Sequence, residues 1–209
     1  KGLSESLFYN EVLLVEGPSE YVLFEAVLAE VNPNYETLGK FLLQVGGINF
    51  KPYTELYEKL QIKYFIKTDN DLKKKRRSKE NDPNKYDLIG FNRCIDVIKE
   101  NKLKSIEFTG NEEELKNKKI KIYEENTELI DKFIKNNIYL SKIDLENDLY
   151  GIIPEELDKY TGKKDSVKWL QEHKLYNMVE FIESCMNKSL AEKIKENTQV
   201  LKEFVDNGR

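Results

Sequence analysis

The stretch LLVEGPSEYVLFEAV, residues 13–27, joins a strand pattern to a helix pattern through a charged turn. Residues 11–15 are apolar enough to form a buried strand, and residues 19–31 carry apolar side chains at helical spacing. The apolar face predicted for this helix comprises Val22, Leu23, Ala26, Val27 and Ala29. The segment therefore predicts a strand that ends at Glu16, a tight turn, and a helix with Glu20 in its first turn.

The same alternation of strand and helix patterns continues along the chain. Further strands are predicted at 41–45, 63–68 and 137–140, further helices at 52–60, 89–101 and 111–136, and helical structure from about 155 onward. Short connections between such elements favour an α/β fold with a mainly parallel, Rossmann-like sheet flanked by helices. The last third of the chain is predicted to be a C-terminal helical appendage.

Composition limits the classes of function. The chain has 209 residues, a formal net charge of −4, 39% hydrophobic and 34% charged residues, which indicates a globular protein and not a polycation. Its apolar runs are too short to span a membrane, and no signal-peptide or phosphate-loop pattern is present. Cys94 and Cys185 match no redox or metal-ligand spacing, which favours a cytoplasmic location.

Acidic side chains follow three of the four predicted strands. Glu16 ends the first, Asp69 and Asp71 follow the third, and Asp144 and Glu146 follow the fourth. Ligands of parallel sheets bind at the carboxyl ends of the strands, and carboxylates gathered there repel one another unless a cation joins them. Oxygen ligands without His or Cys favour Mg²⁺ or Mn²⁺, and two such ions could clamp both oxygens of a phosphodiester displacement.

A plainer interpretation of these carboxylates remains open. Strands end at the surface, and Asp favours turns and helix caps there. The coincidence of three clusters, each at a predicted strand end, is what favours a metal site over this alternative.

A basic run, KKKRRSK at 73–79, follows the Asp69–Asp71 pair. Its six cations, Lys73, Lys74, Lys75, Arg76, Arg77 and Lys79, are the predicted DNA-binding residues, because such runs bind phosphate backbones without sequence preference. The alternative is an ordinary solvated loop.

Taken in order, these motifs resemble a known family. VEGPSE at 15–20 followed by TDND at 68–71 resembles the Toprim domain, a metal-dependent phosphoryl-transfer module. DLEND at 144–148 and LQEHKLYNMVEF at 170–181 resemble the subgroup found in OLD-family (overcoming lysogenization defect) ATP-dependent nucleases, including the nuclease subunit of Gabija-type anti-phage systems. The resemblance covers roughly residues 10–185.

The resemblance implies roles for individual residues. Glu16 would be a metal ligand or general acid/base, and Asp69 the central ligand. The other metal ligands would be Glu20, Asp71, Asp144 and Glu146. A lysine near the C-terminus would stabilise transition-state charge; Lys174 is the best match, with Lys164 and Lys168 as rivals.

The resemblance also implies an organisation and a function. Residues 1–150 would form the Toprim catalytic core with a helical insertion at about 89–136, and residues 151–209 a helical segment completing the active site. The expected activity is metal-dependent DNA cleavage, by nicking or double-strand cutting, with two Mg²⁺ or Mn²⁺ ions. An N-terminal ABC-type ATPase domain, absent from this sequence, would bring ATP dependence; a homo-oligomer and a helicase partner are also expected.

Two other functions remain open. The chain could be a non-catalytic DNA-binding or assembly module, or the Toprim part of a topoisomerase or primase.

Overall fold

The computed structural model describes residues 2–47, 49–75, 84–162 and 165–206. The strands are β1 (Glu11–Val15), β2 (Lys40–Gln44), β3 (Lys63–Thr68), β4 (Leu72–Lys74), β5 (Lys85–Leu88), β6 (Ile106–Glu107) and β7 (Ile138–Leu140). The helices are α1 (Leu3–Ser6), α2 (Pro18–Val31), α3 (Lys51–Leu60), α4 (Ile89–Ile98), α5 (Glu112–Glu125), α6 (Thr127–Lys135), α7 (Leu145–Ile152), α8 (Pro154–Thr161), α9 (Ser166–Glu172), α10 (Lys174–Cys185), α11 (Lys188–Asn197) and α12 (Gln199–Asp206).

Four parallel strands form the main sheet, in the order β2-β1-β3-β7. After β1 the chain crosses to β2 on one side and then returns to β3 on the other side, which makes the β1–β3 boundary a topological switch point. The carboxyl ends of β1, β3 and β7 are therefore neighbours. The predicted α/β fold with a mainly parallel sheet is confirmed, with strand bounds within one residue of those expected.

Successive side chains along the strands point to opposite faces of the sheet and pack into two cores, one on each face. Leu13 and Phe65 pack on the face that carries α2 and the C-terminal helices. Leu14 and Ile66 pack on the opposite face, which carries α3, α4 and α6. Both faces of a parallel sheet are thus covered, as its near-continuous apolar strands require.

The buried face of α2 differs from the predicted one. Ala29 is exposed, and Val22 and Ala26 are only partly buried. The buried side chains are Ser19, Glu20, Leu23, Phe24, Val27 and Leu28. The apolar pattern was misleading because a carboxylate, Glu20, lies on the face that turns inward.

The C-terminal helices share a core with the sheet. Helices α10 and α11 pack on α2, and α12 packs on β3 and β7. The ring of Phe204 meets that of Phe65 edge-on, with centroids 5.6 Å apart. Buried Lys40 of β2 also donates hydrogen bonds to the carbonyls of Phe204 and Val205. Among the described residues, no helix is long and apolar enough to cross a membrane.

A second, antiparallel sheet of order β4-β5-β6 was not predicted. Its strands are two to four residues long, and β4 begins the basic run, so no apolar alternation marks it. The polar helix predicted at 111–136 is two helices, α5 and α6, which meet at Asn126.

Gly90, in the first turn of α4, touches the loop that follows β3. Its N–H donates to the carbonyl oxygen of Asp71 at 3.0 Å. A Cβ at this position would overlap the carbonyl oxygen of Asp69, the nitrogen of Asp71 and the Cα of Asn70, all of them backbone atoms. Only glycine lets α4 approach the Asp69–Asp71 loop this closely.

Gly90→Ala should therefore destabilise the fold, by roughly 2–3 kcal/mol, because backbone atoms cannot move aside as a flexible side chain can. Gly151→Ala in α7 is the matched control, since a Cβ there meets no atom of the described residues within 4 Å. That variant should be neutral or more stable by up to about 1 kcal/mol. Urea unfolding measures both, and equal effects would contradict the close approach.

Candidate active site

The carboxyl edge of the sheet brings together the acidic residues that the sequence singled out. Glu16 follows β1, Asp69 and Asp71 follow β3, and Asp144 and Glu146 open α7 just after β7. Glu20 joins them from the buried face of α2. Its Oε2 atom would lie 2.9 Å from a Cβ at Gly17, so its carboxylate folds back over the turn after β1.

Asp69 lies at the centre of this electrostatic cluster. Burial raises the pKa of Asp69 well above its usual range. Glu20, Asp71 and Glu146 raise this pKa further, while Lys67 opposes them. Asp69 thus feels carboxylates contributed by α2, its own loop and α7 at once.

Glu16, Glu20 and Glu146 share this behaviour. Burial is the main cause of a raised pKa in each of the three. For Glu16, Arg93 pulls the pKa back down and Asp71 adds to the rise. Four carboxyl groups at one edge are therefore poised to hold protons or to accept a cation.

Lys174 reaches Glu146 from the start of α10. Its Nζ lies 3.4 Å from Oε1 of Glu146, whose side chain is only 1% exposed. Burial disfavours the charged form of Lys174, but the surrounding carboxylates, Glu146 foremost, outweigh it and raise the pKa of the lysine. Of the two rival lysines, Lys168 is exposed on α9, and Lys164 lies outside the described residues.

Asp144 acts as the N-cap of α7. Its Oδ1 accepts from the backbone N–H of Asn147 at 2.9 Å and from that residue's side-chain amide at 2.6 Å. Its Oδ2 accepts from Gln171 at 2.8 Å. The alternative interpretation from the sequence, a carboxylate that caps a helix, therefore describes part of what Asp144 does.

Arg93 is a site residue that the sequence analysis missed. From α4 its guanidinium donates through Nη1 to Glu16 and Thr68, and through Nη2 to Asp71 at 3.0 Å. The side chain is 2% exposed. The sequence shows only one arginine in an ordinary amphipathic helix, and its contact with Glu16 spans 77 positions.

Lys67 is a second missed cation. It is buried in β3, and its Nζ donates to Ser141 and to Asp148, both at 2.6 Å. The hydroxyl of Ser141 donates in turn to Asp69 at 3.2 Å. A signal existed in the sequence, because a lysine two residues before an Asp-x-Asp pair, inside a buried strand, needs a carboxylate partner.

The basic run begins on exposed strand β4. Lys73 and Lys74 project from this strand, and Lys75 forms an ion pair with Asp87 at 3.3 Å. Arg76, Arg77 and Lys79 lie outside the described residues. The described lysines follow Asp71 directly, so positive charge borders the acidic cluster.

The donor set fits a hard divalent cation. The side chains that converge are carboxylates, with no His or Cys among them, and oxygen ligands suit Mg²⁺ or Mn²⁺. Glu16 and Asp71 are already engaged by Arg93, and Glu146 by Lys174. Within the described ranges, no three His, Cys, Asp or Glu side chains stand arranged as a ready-made metal cage.

Comparison with known proteins defines the class. Residues 7–71 match the family model described as "Overcoming lysogenization defect protein-like, TOPRIM domain". The C-terminal regions of the OLD proteins of Burkholderia pseudomallei and Xanthomonas campestris pv. campestris share the fold, with TM-scores of 0.52 and 0.51. The alignments cover 97% and 95% of this chain and 100% and 97% of theirs, at 16% and 19% identity. The chain therefore has the fold of these OLD C-terminal regions, and its first third matches the Toprim model.

A closer relationship comes from the sequence. The chain is 40% identical over 218 aligned residues to Endonuclease GajA of Bacillus cereus strain VD045. The alignment includes all of this chain and 37% of that protein, so the chain spans little more than a third of its relative. The chain therefore belongs to the OLD-like Toprim family, as the motifs at 15–20 and 68–71 indicated.

The raised pKa of Asp69 predicts a pH-dependent gain from Asp69→Asn. Because the folded chain holds this proton more tightly than the unfolded chain, wild-type stability falls as pH rises above the ordinary aspartate pKa, about 3.9. In EDTA at about pH 8 the variant should have the higher Tm, and the gap should close toward about pH 4. Each unit of pKa corresponds to about 1.4 kcal/mol.

Glu156→Gln is the control of opposite sign. A hydrogen bond from Lys193 lowers the pKa of Glu156. That variant should be less stable than wild type near neutral pH, with the gap closing as pH falls. Thermal unfolding across the pH range checks both, and a pH-independent gap for Asp69→Asn would contradict the electrostatic account.

Proposed function

We propose that this domain hydrolyses DNA phosphodiester bonds with the help of divalent metal ions, as part of an OLD-like endonuclease. The observation that carries the proposal is the gathering of buried and half-buried carboxylates that follow β1 and β3 or lie on α2 and α7, at one sheet edge, with Lys174 beside them. The 40% identity to a protein named as an endonuclease supports the same reaction.

The proposed ligands are Glu16, Glu20, Asp69, Asp71, Asp144 and Glu146. Two Mg²⁺ or Mn²⁺ ions bound there would polarise the scissile phosphate and lower the pKa of a bound water. Asp69 would be shared between the two ions, because the charges of Glu20, Asp71 and Glu146 all raise its pKa. Asp144 contributes from a fixed position, because its cap and the Gln171 amide hold its side chain.

Lys174 would offset charge on the phosphate. It keeps its proton because the surrounding carboxylates raise its pKa, and its side chain is 53% exposed, so it can reach a bound substrate. A fixed cation beside the reacting phosphate stabilises the charge that develops there. Glu16, with its pKa raised, could hold or release a proton as a general acid/base.

The substrate would approach over β4. Lys73 and Lys74 are exposed there, beside a cluster whose negative charge would otherwise repel a phosphate backbone. Arg76, Arg77 and Lys79 are proposed to extend this surface. The chain's net charge of −4 makes such a local patch necessary for DNA binding.

The whole protein is proposed to combine this domain with an N-terminal ABC-type ATPase domain, through which ATP would act. GajA is a longer protein, with room for such a domain. We further propose that the whole protein forms a homo-oligomer, acts with a helicase partner and takes part in defence against phage.

Plasmid cleavage tests the reaction. Supercoiled DNA is followed in EDTA, Mg²⁺, Mn²⁺ and Ca²⁺ with wild type, Glu16→Gln, Asp69→Asn and Lys174→Met. Wild type should form open-circle or linear DNA only with metal, and each variant should lose roughly 10²-fold or more in rate. Lys132→Met, an exposed ion-pair partner of Glu100, should cleave as wild type does.

The other functions give different results in this assay. DNA binding without cleavage in any metal would favour a non-catalytic module, and covalently closed relaxed product would favour a topoisomerase. Lys168→Met decides between the described lysines: loss of activity there, with Lys174→Met active, would overturn the role given to Lys174.

DNA affinity tests the β4 surface separately. In EDTA, Lys73→Gln/Lys74→Gln should bind DNA more weakly, and the slope of log affinity against log salt should fall by about one for each lysine that contacts a phosphate. Lys132→Gln/Lys135→Gln is the matched control, because these exposed lysines precede the amino end of β7, on the opposite edge of the sheet. Equal loss in both double variants would contradict a DNA surface at β4.

A further inference from the structure

The guanidinium of Arg93 contacts two of the acids at the carboxyl edge of the sheet. It donates to Glu16 and Thr68 through one terminal nitrogen and to Asp71 through the other. It therefore joins the acids that follow β1 and β3, the strands on either side of the topological switch point.

Arg93 is buried to an extent that requires these partners. Its side chain is 2% exposed, and its Nε atom is buried with no hydrogen-bond partner among the residues that the structure describes. Arginine does not lose its proton at accessible pH, so the charge itself must be balanced. Glu16 and Asp71 are the carboxylates that balance it, and an uncompensated buried charge would strongly destabilise the fold.

A second structural feature, the close approach of α4 to the Asp69–Asp71 loop, explains how Arg93 reaches this position. Gly90, three residues earlier on α4, lies against the backbone of Asp69, Asn70 and Asp71 with no room for a Cβ. One turn later the same helix presents Arg93 to Glu16 and Asp71. The close approach of α4 to the Asp69–Asp71 loop thus also places Arg93 beside its two carboxylate partners.

We propose that Arg93 is a built-in counter-cation: it holds Glu16 and Asp71 in the metal-free site and competes with a divalent ion for these two carboxylates. The inference rests on the metal site proposed above. It adds a residue and a role, because metal binding becomes an exchange of one cation for another at Glu16 and Asp71.

The proposed competition predicts the direction in which metal affinity changes when Arg93 is removed. A positive charge a few ångströms from a bound divalent ion repels it, so removing the charge should tighten binding by about tenfold or more. Removing it also leaves Glu16 and Asp71 facing each other, so the metal-free protein should lose stability. If Arg93 served only to orient the two ligands, its removal would instead weaken binding.

Mn²⁺ binding and thermal unfolding test these signs. Free Mn²⁺ is measured by electron paramagnetic resonance during titration of wild type, Arg93→Met and Arg93→Lys, and Tm is measured in EDTA and in Mn²⁺. Arg93→Met should bind at least about tenfold more tightly, have a lower Tm in EDTA and gain more Tm from Mn²⁺ than wild type. Arg93→Lys keeps the positive charge and therefore its repulsion of the ion, so it should bind within about threefold of wild type.

The controls separate failure of the inference from failure of the proposed function. Lys132→Met removes an exposed positive charge from α6 and should match wild type in Mn²⁺ affinity. Unchanged or weaker binding by Arg93→Met, with wild type binding normally, would overturn the counter-cation and leave the metal site intact. No binding by wild type or by any variant would overturn both.

A measurement on wild type covers the case in which Arg93→Met fails to fold. The guanidinium N–H signals of Arg93, assigned by comparison with Arg93→Lys in ¹⁵N NMR, should be protected from solvent exchange in EDTA, because the group is buried and hydrogen-bonded. Saturation with Mg²⁺ should shift these signals and reduce their protection. Signals unchanged by Mg²⁺, under conditions where Mg²⁺ demonstrably binds, would contradict the exchange of cations.

Discussion

Repulsion among carboxylates at one edge of a parallel sheet is the constraint on which the rest of this structure depends. The topology brings the ends of β1, β3 and β7 together, and each end brings acids with it. Among the described residues, three cations offset this negative charge: Arg93 from α4, Lys67 from within β3 and Lys174 from α10. Because each comes from a different part of the chain, the helices on both faces of the sheet help to hold the edge together.

The acids could be predicted from sequence, but Arg93, one of their counter-ions, could not. Glu16, Asp69 and Asp71 each follow an apolar strand, and parallel pairing brings strand ends together whatever the details of packing. Arg93 depends on how closely α4 approaches the loop after β3, which a glycine decides. Similarly, the inward face of α2 was misjudged because Glu20 is buried there against its own hydropathy, beside Glu16 and Glu146, whose charges raise its pKa.

Lys67 and Arg93, the two cations missed from the sequence, connect different elements of the site. Lys67 reaches Asp69 through the Ser141 hydroxyl and also pairs with Asp148, which lies on α7 two residues after Glu146. The position of α7 is thereby tied to the loop that carries the central acid. Arg93 ties that same loop to β1. Asp69 sits where the two links meet, which explains why so many charges act on it.

The charge balance of this edge bears on how many ions it could take. Among the described residues, seven carboxylates (the six proposed ligands and Asp148) face three cations, so full ionisation of these groups leaves four formal negative charges. Two divalent ions carry four positive charges, and this match supports the two-ion proposal. Without such ions, the raised pKa values of Glu16, Glu20, Asp69 and Glu146 reduce the same excess by retaining protons. Protons and metal ions are thus alternative ways to offset the same excess of negative charge, and Arg93 is the cation that the fold supplies to the metal-free site.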